Sequence, residues 1–129
     1  MQEAVTTTAR ARISDREARY LLAILARGGN EVRSVDLALR LGVQKSSVSA
    51  MLSRLAAHDL VWKESYGKVS LTEKGRESAV RLRDSLRETE AYLSRTLGLS
   101  SDHLEAVALA MVLAGGSSVV QAIRMTSRQ

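Results

Sequence analysis

Histidine, the side chain best suited to proton chemistry near neutral pH, occurs twice, as His58 and His103. The two belong to separate segments, and neither has a nucleophile or a carboxylate partner at a spacing that would make a catalytic set. Gly28-Gly29 and Gly115-Gly116 lack the residues that follow a phosphate-cradling glycine loop and read as helix stops. There is no cysteine, which removes thiolate metal sites, cysteine nucleophiles and disulfide scaffolds together. The expectation is a non-enzyme, with His58, just before Asp59-Leu60 at a helix end, in a structural role.

A different chemistry is written into Gln44-Lys45-Ser46-Ser47-Val48-Ser49-Ala50. Small polar residues at a helix start let the backbone approach a duplex closely while hydroxyls and the Gln44 amide bond to bases or phosphates. Arg33, Ser34, Lys45, Ser53 and Arg54 would flank that surface, and Lys63, Tyr66 and Lys68 follow it. The expected DNA-binding set is Arg33, Ser34, Gln44, Lys45, Ser46, Ser47, Ser49, Arg54, Tyr66 and Lys68. From Arg33 to Lys68 the basic residues are Arg33, Arg40, Lys45, Arg54, Lys63 and Lys68, against Asp36, Asp59 and Glu64. Phosphate contacts of this kind supply affinity and register rather than sequence choice.

Presenting those residues requires a scaffold, and the hydrophobic period supplies one. Ser14 with Glu17 fits a capping box opening a helix that carries Ala18, Leu21, Leu22 and Leu25, stopped by Gly28-Gly29-Asn30. Ser34 is expected to cap a short helix with Val35, Leu37, Ala38 and Leu41, ended by Gly42. A third helix, from Lys45–Ser47, carries Val48, Met51, Leu52 and Leu55, so the pair joined by Leu41-Gly42-Val43-Gln44 makes a helix-turn-helix. Leu60–Glu64, a turn at Ser65–Lys68 and Val69–Leu71 read as a hairpin, placed where a wing belongs.

Thr72 is expected to cap a long helix whose Ala79, Leu82, Leu86, Thr89, Leu93 and Leu97 form a packing seam. That helix outruns the winged helix, so part of the seam is expected to meet a second copy. Gly98-Leu99-Ser100 breaks it, Asp102 with Glu105 is expected to cap the next helix, and Ser117 a last one with Val119, Val120 and Ile123. The fold class is mainly α: a three-helix winged helix-turn-helix with a β-hairpin, then a helical dimerisation region. The division reads as a solvated tail at 1–13, a DNA-binding domain at 14–75, a dimerisation domain at 76–125 and a tail at 126–129. Leu82, Leu86, Leu93, Leu97, Leu104 and Met111 are the expected dimerisation residues.

At 129 residues with 45% apolar content, the chain fills one compact unit or two very small ones sharing a core. That core must be aliphatic, since Trp62, Tyr20, Tyr66 and Tyr92 are its only aromatic residues. Nineteen Lys and Arg against fourteen Asp and Glu give a net charge of +5, which favours a polyanionic partner. No apolar run approaches the roughly 20 residues of a membrane helix, so a cytoplasmic protein without membrane partners is expected.

Read together, Val32-Arg33-Ser34-Val35-Asp36-Leu37-Ala38, Leu41-Gly42-Val43, Ser46-Ser47-Val48-Ser49-Ala50-Met51-Leu52 and Asp59-Leu60-Val61 resemble the DtxR/MntR family of metal-responsive repressors. The resemblance continues through Tyr66–Gly75 and Leu97-Gly98-Leu99 to His103-Leu104-Glu105-Ala106. It implies a homodimeric repressor that binds double-stranded operator DNA, with Mn²⁺ or Fe²⁺ held between reading head and dimer helices. Some members append an SH3-like domain, which at this length is not expected here. The family's metal-ligand positions fall on Arg19, Leu22, Leu86, Val107, Ala110 and Met111, and only Glu90 and His103 match positions of an ancillary metal site. The expectation is a degenerate site, no assigned cofactor, and DNA binding that persists in chelator, with hydrocarbon where relatives hold a cation. Two alternatives stand beside it: a MarR-like regulator responding to a small molecule, and a winged helix used as a protein-binding adaptor.

Overall fold

The computed structural model describes residues 13–127, so the expected tail at 1–13, with Arg10 and Arg12, lies almost wholly outside the described residues. Packing divides the chain into two units, Arg16–Arg81 and one containing Leu82–Gln129.

In the first unit α1 (Asp15–Ala26) starts directly after Ser14. Its buried face is Glu17, Ala18, Tyr20, Leu21, Ala23 and Ile24, while Leu22 and Leu25 are only half-buried. A two-residue strand, β1 (Val32–Arg33), then precedes α2 (Ser34–Leu41) and α3 (Lys45–Ala57). The wing consists of β2 (Val61–Lys63), a short 3₁₀ turn at Ser65–Gly67 and β3 (Lys68–Leu71). The sheet order is β1-β3-β2, antiparallel throughout, with Val32 opposite Val69 and Arg33 opposite Lys68. This third strand is too short to register as an alternating pattern.

β1 changes how α2 begins. Arg33 occupies the cap position in extended conformation and makes no side-chain cap bond, so the capping expected of Ser34 is not made. The reason is the sheet: pairing with β3 holds the backbone extended through Arg33, and Ser34 becomes the first helical residue. α2 ends at Gly42, which adopts φ +66°, the left-handed region open to glycine. The aliphatic core gathers Leu21, Ile24, Leu37, Val48, Leu55 and Val69, each exposed by 1% or less. Burial of such side chains stabilises the unit by roughly 1.5–3 kcal/mol each before the entropic cost of ordering them.

α4 (Glu73–Leu97) opens as the sequence predicts: the Gly75 amide donates to Thr72 Oγ1 at 2.9 Å, and that hydroxyl donates to the Asp59 carbonyl at 2.7 Å. Its later turns bury Leu86, Thr89 and Leu93. Thr89, with no exposed surface, is satisfied by donating to the Ser85 carbonyl at 2.8 Å. α5 (Ser101–Gly115) buries Ala108, Leu109 and Val112, and α6 (Ser117–Ser127) buries Val120 and Ile123. The N-cap of α5 is Ser100 rather than Asp102, which lies in the first turn, where its charge suits the helix dipole.

The tail expected at 126–129 is helical as far as Ser127. Arg124 reaches Glu88 on α4 through two hydrogen bonds of 2.8 and 3.1 Å, which holds this last segment down. That pairing lowers the Glu88 carboxyl below its usual range. Among the described residues no single helix is long and apolar enough to cross a membrane.

Candidate nucleic-acid interface

The N-terminal turn of α3 carries the serine-rich segment, and the amphipathic period decides which side it shows. Val48, Met51, Leu52 and Leu55 are buried, so Gln44, Lys45, Ser46, Ser47, Ser49 and Ala50 stand in solvent. Gln44 holds the cap position without a side-chain cap bond, and no acidic residue sits in the first turn. The free amides and positive dipole end of a 13-residue helix therefore face outward, which favours an anion. His58 fixes the far end of α3: its Nδ1 lies 3.3 Å from Oε2 of the buried Glu17 on α1, the structural role expected of it.

Lys45 lies in this turn, and Lys63 and Lys68 line one pocket with Lys45, Val48 and Ser49. Among the described residues Arg33, Arg40, Lys45 and Arg54 form no ion pair with a carboxylate. Lys63 donates to Ser53 Oγ at 3.0 Å, joining β2 to α3, and Lys68 sits 3.7 Å from Glu31. Arg40, on the exposed side of α2, was not among the expected contacts, although its place in the last turn of an amphipathic helix signals exposure.

The wing is held from below. The Ser70 hydroxyl accepts the Glu31 amide at 2.7 Å and donates to the Glu64 carboxylate, and the Leu71 amide donates to the Gly29 carbonyl at 2.8 Å. At its tip Tyr66 adopts φ +61° with 98% of its surface exposed. A bulky residue in the left-handed region is strained. Among the described residues nothing covers this ring, so the wing tip displays an aromatic side chain outward. Trp62, 63% exposed on β2, adds a second aromatic surface that the sequence did not single out for binding.

The residues onto which the resemblance carries the metal-ligand positions do not fit an ion. Leu22, Leu86, Val107 and Ala110 offer no donor atom, Arg19 is a cation, and Met111 offers a neutral thioether unsuited to Mn²⁺. Among the described residues no group of three or more His, Asp or Glu could hold a metal. Of the ancillary pair, His103 is exposed with its Nδ1 3.4 Å from Ser100 Oγ, while Glu90 is half-buried. Burial first, then the charge of Glu105, raises the Glu90 carboxyl above its ordinary value, with Arg87 opposing.

The expected dimerisation residues divide by exposure. Leu86 and Leu93 are buried in the single chain, Leu82, Leu104 and Met111 are half-buried, and Leu97 is 63% exposed.

Known proteins share this architecture. The transcriptional regulator MntR of Escherichia coli O6:H1 is 37% identical over 82 residues, a match covering 64% of this chain and 52% of that protein. The structure of the manganese regulator SloR superposes with a TM-score of 0.76 at 23% identity, over 87% of this chain and 53% of the other, which shows the fold. A manganese-dependent transcriptional repressor in complex with manganese gives a TM-score of 0.71 at 27% identity, over 85% and 51%. The chain thus spans about half the length of the relatives it matches. A family described as "Domain of unknown function (DUF8462)" matches residues 4–75. The chain belongs to that family, and its winged helix and sequence make it a relative of the DtxR/MntR proteins.

Proposed function

We propose that this protein is a cytoplasmic, sequence-specific DNA-binding regulator of the DtxR/MntR type that acts as a homodimeric repressor and does not use the family's ion. Residues 14–75 form the reading head and 76–125 the dimerisation region. The observation that carries the reading is the uncapped, serine-rich first turn of α3, exposed and without an acidic residue, on a unit whose Arg33, Lys45 and Arg54 form no carboxylate ion pair among the described residues and whose wing displays Tyr66. Gln44, Ser46, Ser47 and Ser49 face the base edges; Arg33, Ser34, Lys45, Arg54 and Lys68 hold phosphates, and Tyr66 enters the neighbouring groove. Exposed Leu97, Val107 and Met125, with half-buried Leu104 and Met111, provide the apolar surface for a second copy.

With apolar side chains at most of the ligand positions, the reading-competent state does not depend on Mn²⁺ or Fe²⁺. The test is a gel shift on the DNA flanking its own coding region, with and without EDTA and with added Mn²⁺, Fe²⁺ or Zn²⁺. Retardation unchanged across all lanes is expected. Retardation abolished by EDTA and restored by Mn²⁺ or Fe²⁺ would contradict metal independence, and none in any lane would contradict the DNA reading.

A further inference from the structure

Between α3, the start of α2 and the wing lies a cavity of about 230 Å³. Val35, Val48 and Leu52 provide its apolar lining, and Lys45, Lys63 and Lys68 also line it, the Lys63 ammonium donating to Ser53 Oγ at 3.0 Å and that of Lys68 lying 3.7 Å from Glu31. Ser34 and Ser49 contribute hydroxyls, and Gly67 at the wing tip sits close enough that a Cβ there would lie 3.2 Å from Ser34 Oγ. The one carboxylate in the lining, Glu64, already accepts the Ser70 hydroxyl.

A DNA phosphate needs cations and amides but gains nothing from hydrocarbon. A lining of aliphatic side chains with a few converging polar groups is instead how small-molecule pockets are built. With a water taking about 30 Å³, the space equals roughly eight waters, enough for a single ring with one charged head. We propose that this cavity binds a small organic anion, an apolar body bearing one carboxylate or phosphate head, and that its occupation excludes the duplex. The exclusion is electrostatic and local. Lys45, Ser49 and Lys68 line the cavity and also belong to the face turned to DNA, so a bound head neutralises cations the duplex requires. By linkage, whatever factor the anion takes from duplex affinity, the duplex takes from anion affinity.

The exclusion rests on the DNA-binding reading, whereas the pocket itself does not, and the experiment separates them. The ¹⁵N-labelled full chain, free of DNA and at constant ionic strength, is titrated with benzoate, benzyl alcohol or inorganic phosphate while amide shifts are followed. Benzoate is expected to saturate in the millimolar range, with the largest shifts at Lys45, Val48, Ser49, Gly67 and Lys68. Lys45→Gln combined with Lys63→Gln, checked for an unchanged fold by its amide spectrum, is expected to weaken benzoate at least tenfold. Benzyl alcohol saturating equally would show the lysines idle, and phosphate saturating equally would show the hydrocarbon idle; either overturns the proposal, as does benzoate that never saturates.

In parallel, benzoate is added to a fluorescent duplex complex, where a rise in apparent Kd is expected for the wild type and not for the double variant. Benzoate that saturates at the cavity without moving the duplex Kd overturns the exclusion. If the duplex binds while benzoate never saturates, the pocket falls and the DNA reading stands. If benzoate saturates but no duplex binds at low ionic strength, the DNA reading falls and the pocket stands.

Discussion

Replacing Gly75 by alanine distinguishes a tertiary constraint from a local helix preference by the sign of its effect. Gly75 lies in the first turn of α4, where an ordinary glycine-to-alanine change stabilises a helix by about 1 kcal/mol. Here the added Cβ would lie 1.9 Å from the Leu60 carbonyl oxygen and 2.8 Å from its carbon. The obstacle is backbone, pinned by the Thr72 amide donating to the same carbonyl at 3.1 Å, and cannot rotate aside. Relief requires α4 and the strand entering the wing to separate by more than an ångström. Overpacking costs about 1–3 kcal/mol where side chains can yield and more where they cannot, so a net loss of about 2–4 kcal/mol remains after the propensity gain.

For a chain of this size that corresponds to a melting temperature lower by about 6–20 °C, at roughly 3–5 °C per kcal/mol. Gly42→Ala is the comparison: a Cβ there meets nothing within 4 Å, so only the φ of +66° opposes it, at about 1–2 kcal/mol. Calorimetry of both variants and the wild type, in one buffer, reads the difference. A Gly75→Ala protein melting at or above the wild type would refute the close approach of α4 to Leu60.

Tyr66→Gly is expected to raise thermal stability slightly, by about 1 kcal/mol as backbone strain is released, and to weaken duplex binding in an anisotropy titration; unchanged binding would remove the wing tip from the interface. Adding EDTA, or Mn²⁺ up to millimolar levels, is expected to leave the melting temperature unchanged, since among the described residues no group of three or more His, Asp or Glu could hold a metal. Glu90 holds its proton to higher pH in the native state than in the unfolded chain. The native state therefore binds more protons just above the usual 4.5, and the stabilisation present below that value is lost as pH rises through the raised pKa. Glu90→Gln is expected to melt above the wild type at neutral pH, with the gap closing in acid; a gap of equal size at every pH would assign the effect to packing alone.

The helices were legible because their apolar residues recur at helical spacing, and the exposure of the serine-rich turn followed from the burial of Val48, Met51, Leu52 and Leu55. Thr72 was legible as a cap because its bond to the Gly75 amide is local. What escaped depends on distant segments. β1 is two residues long and exists through its pairing with β3, and that pairing also moves the cap of α2 from Ser34 to Arg33. The last turn of α6 is held by Arg124 and Glu88, 36 positions apart. Leu86 and Leu93 lie on the predicted seam, yet the pattern alone does not say whether a seam is filled by the same chain or by another. The cavity beside α3 draws on three segments separated in sequence, so no spacing announces it.

The central claim is most directly tested by the salt dependence of duplex affinity, measured by anisotropy for the wild type, Lys45→Ala and Arg54→Ala. Affinity falling linearly in log–log form with added salt is expected, each substitution lowering the slope by about 1 for the phosphate contact removed. A monomeric protein showing no affinity for double-stranded oligonucleotides at low ionic strength, or a binding strength indifferent to salt, would contradict it.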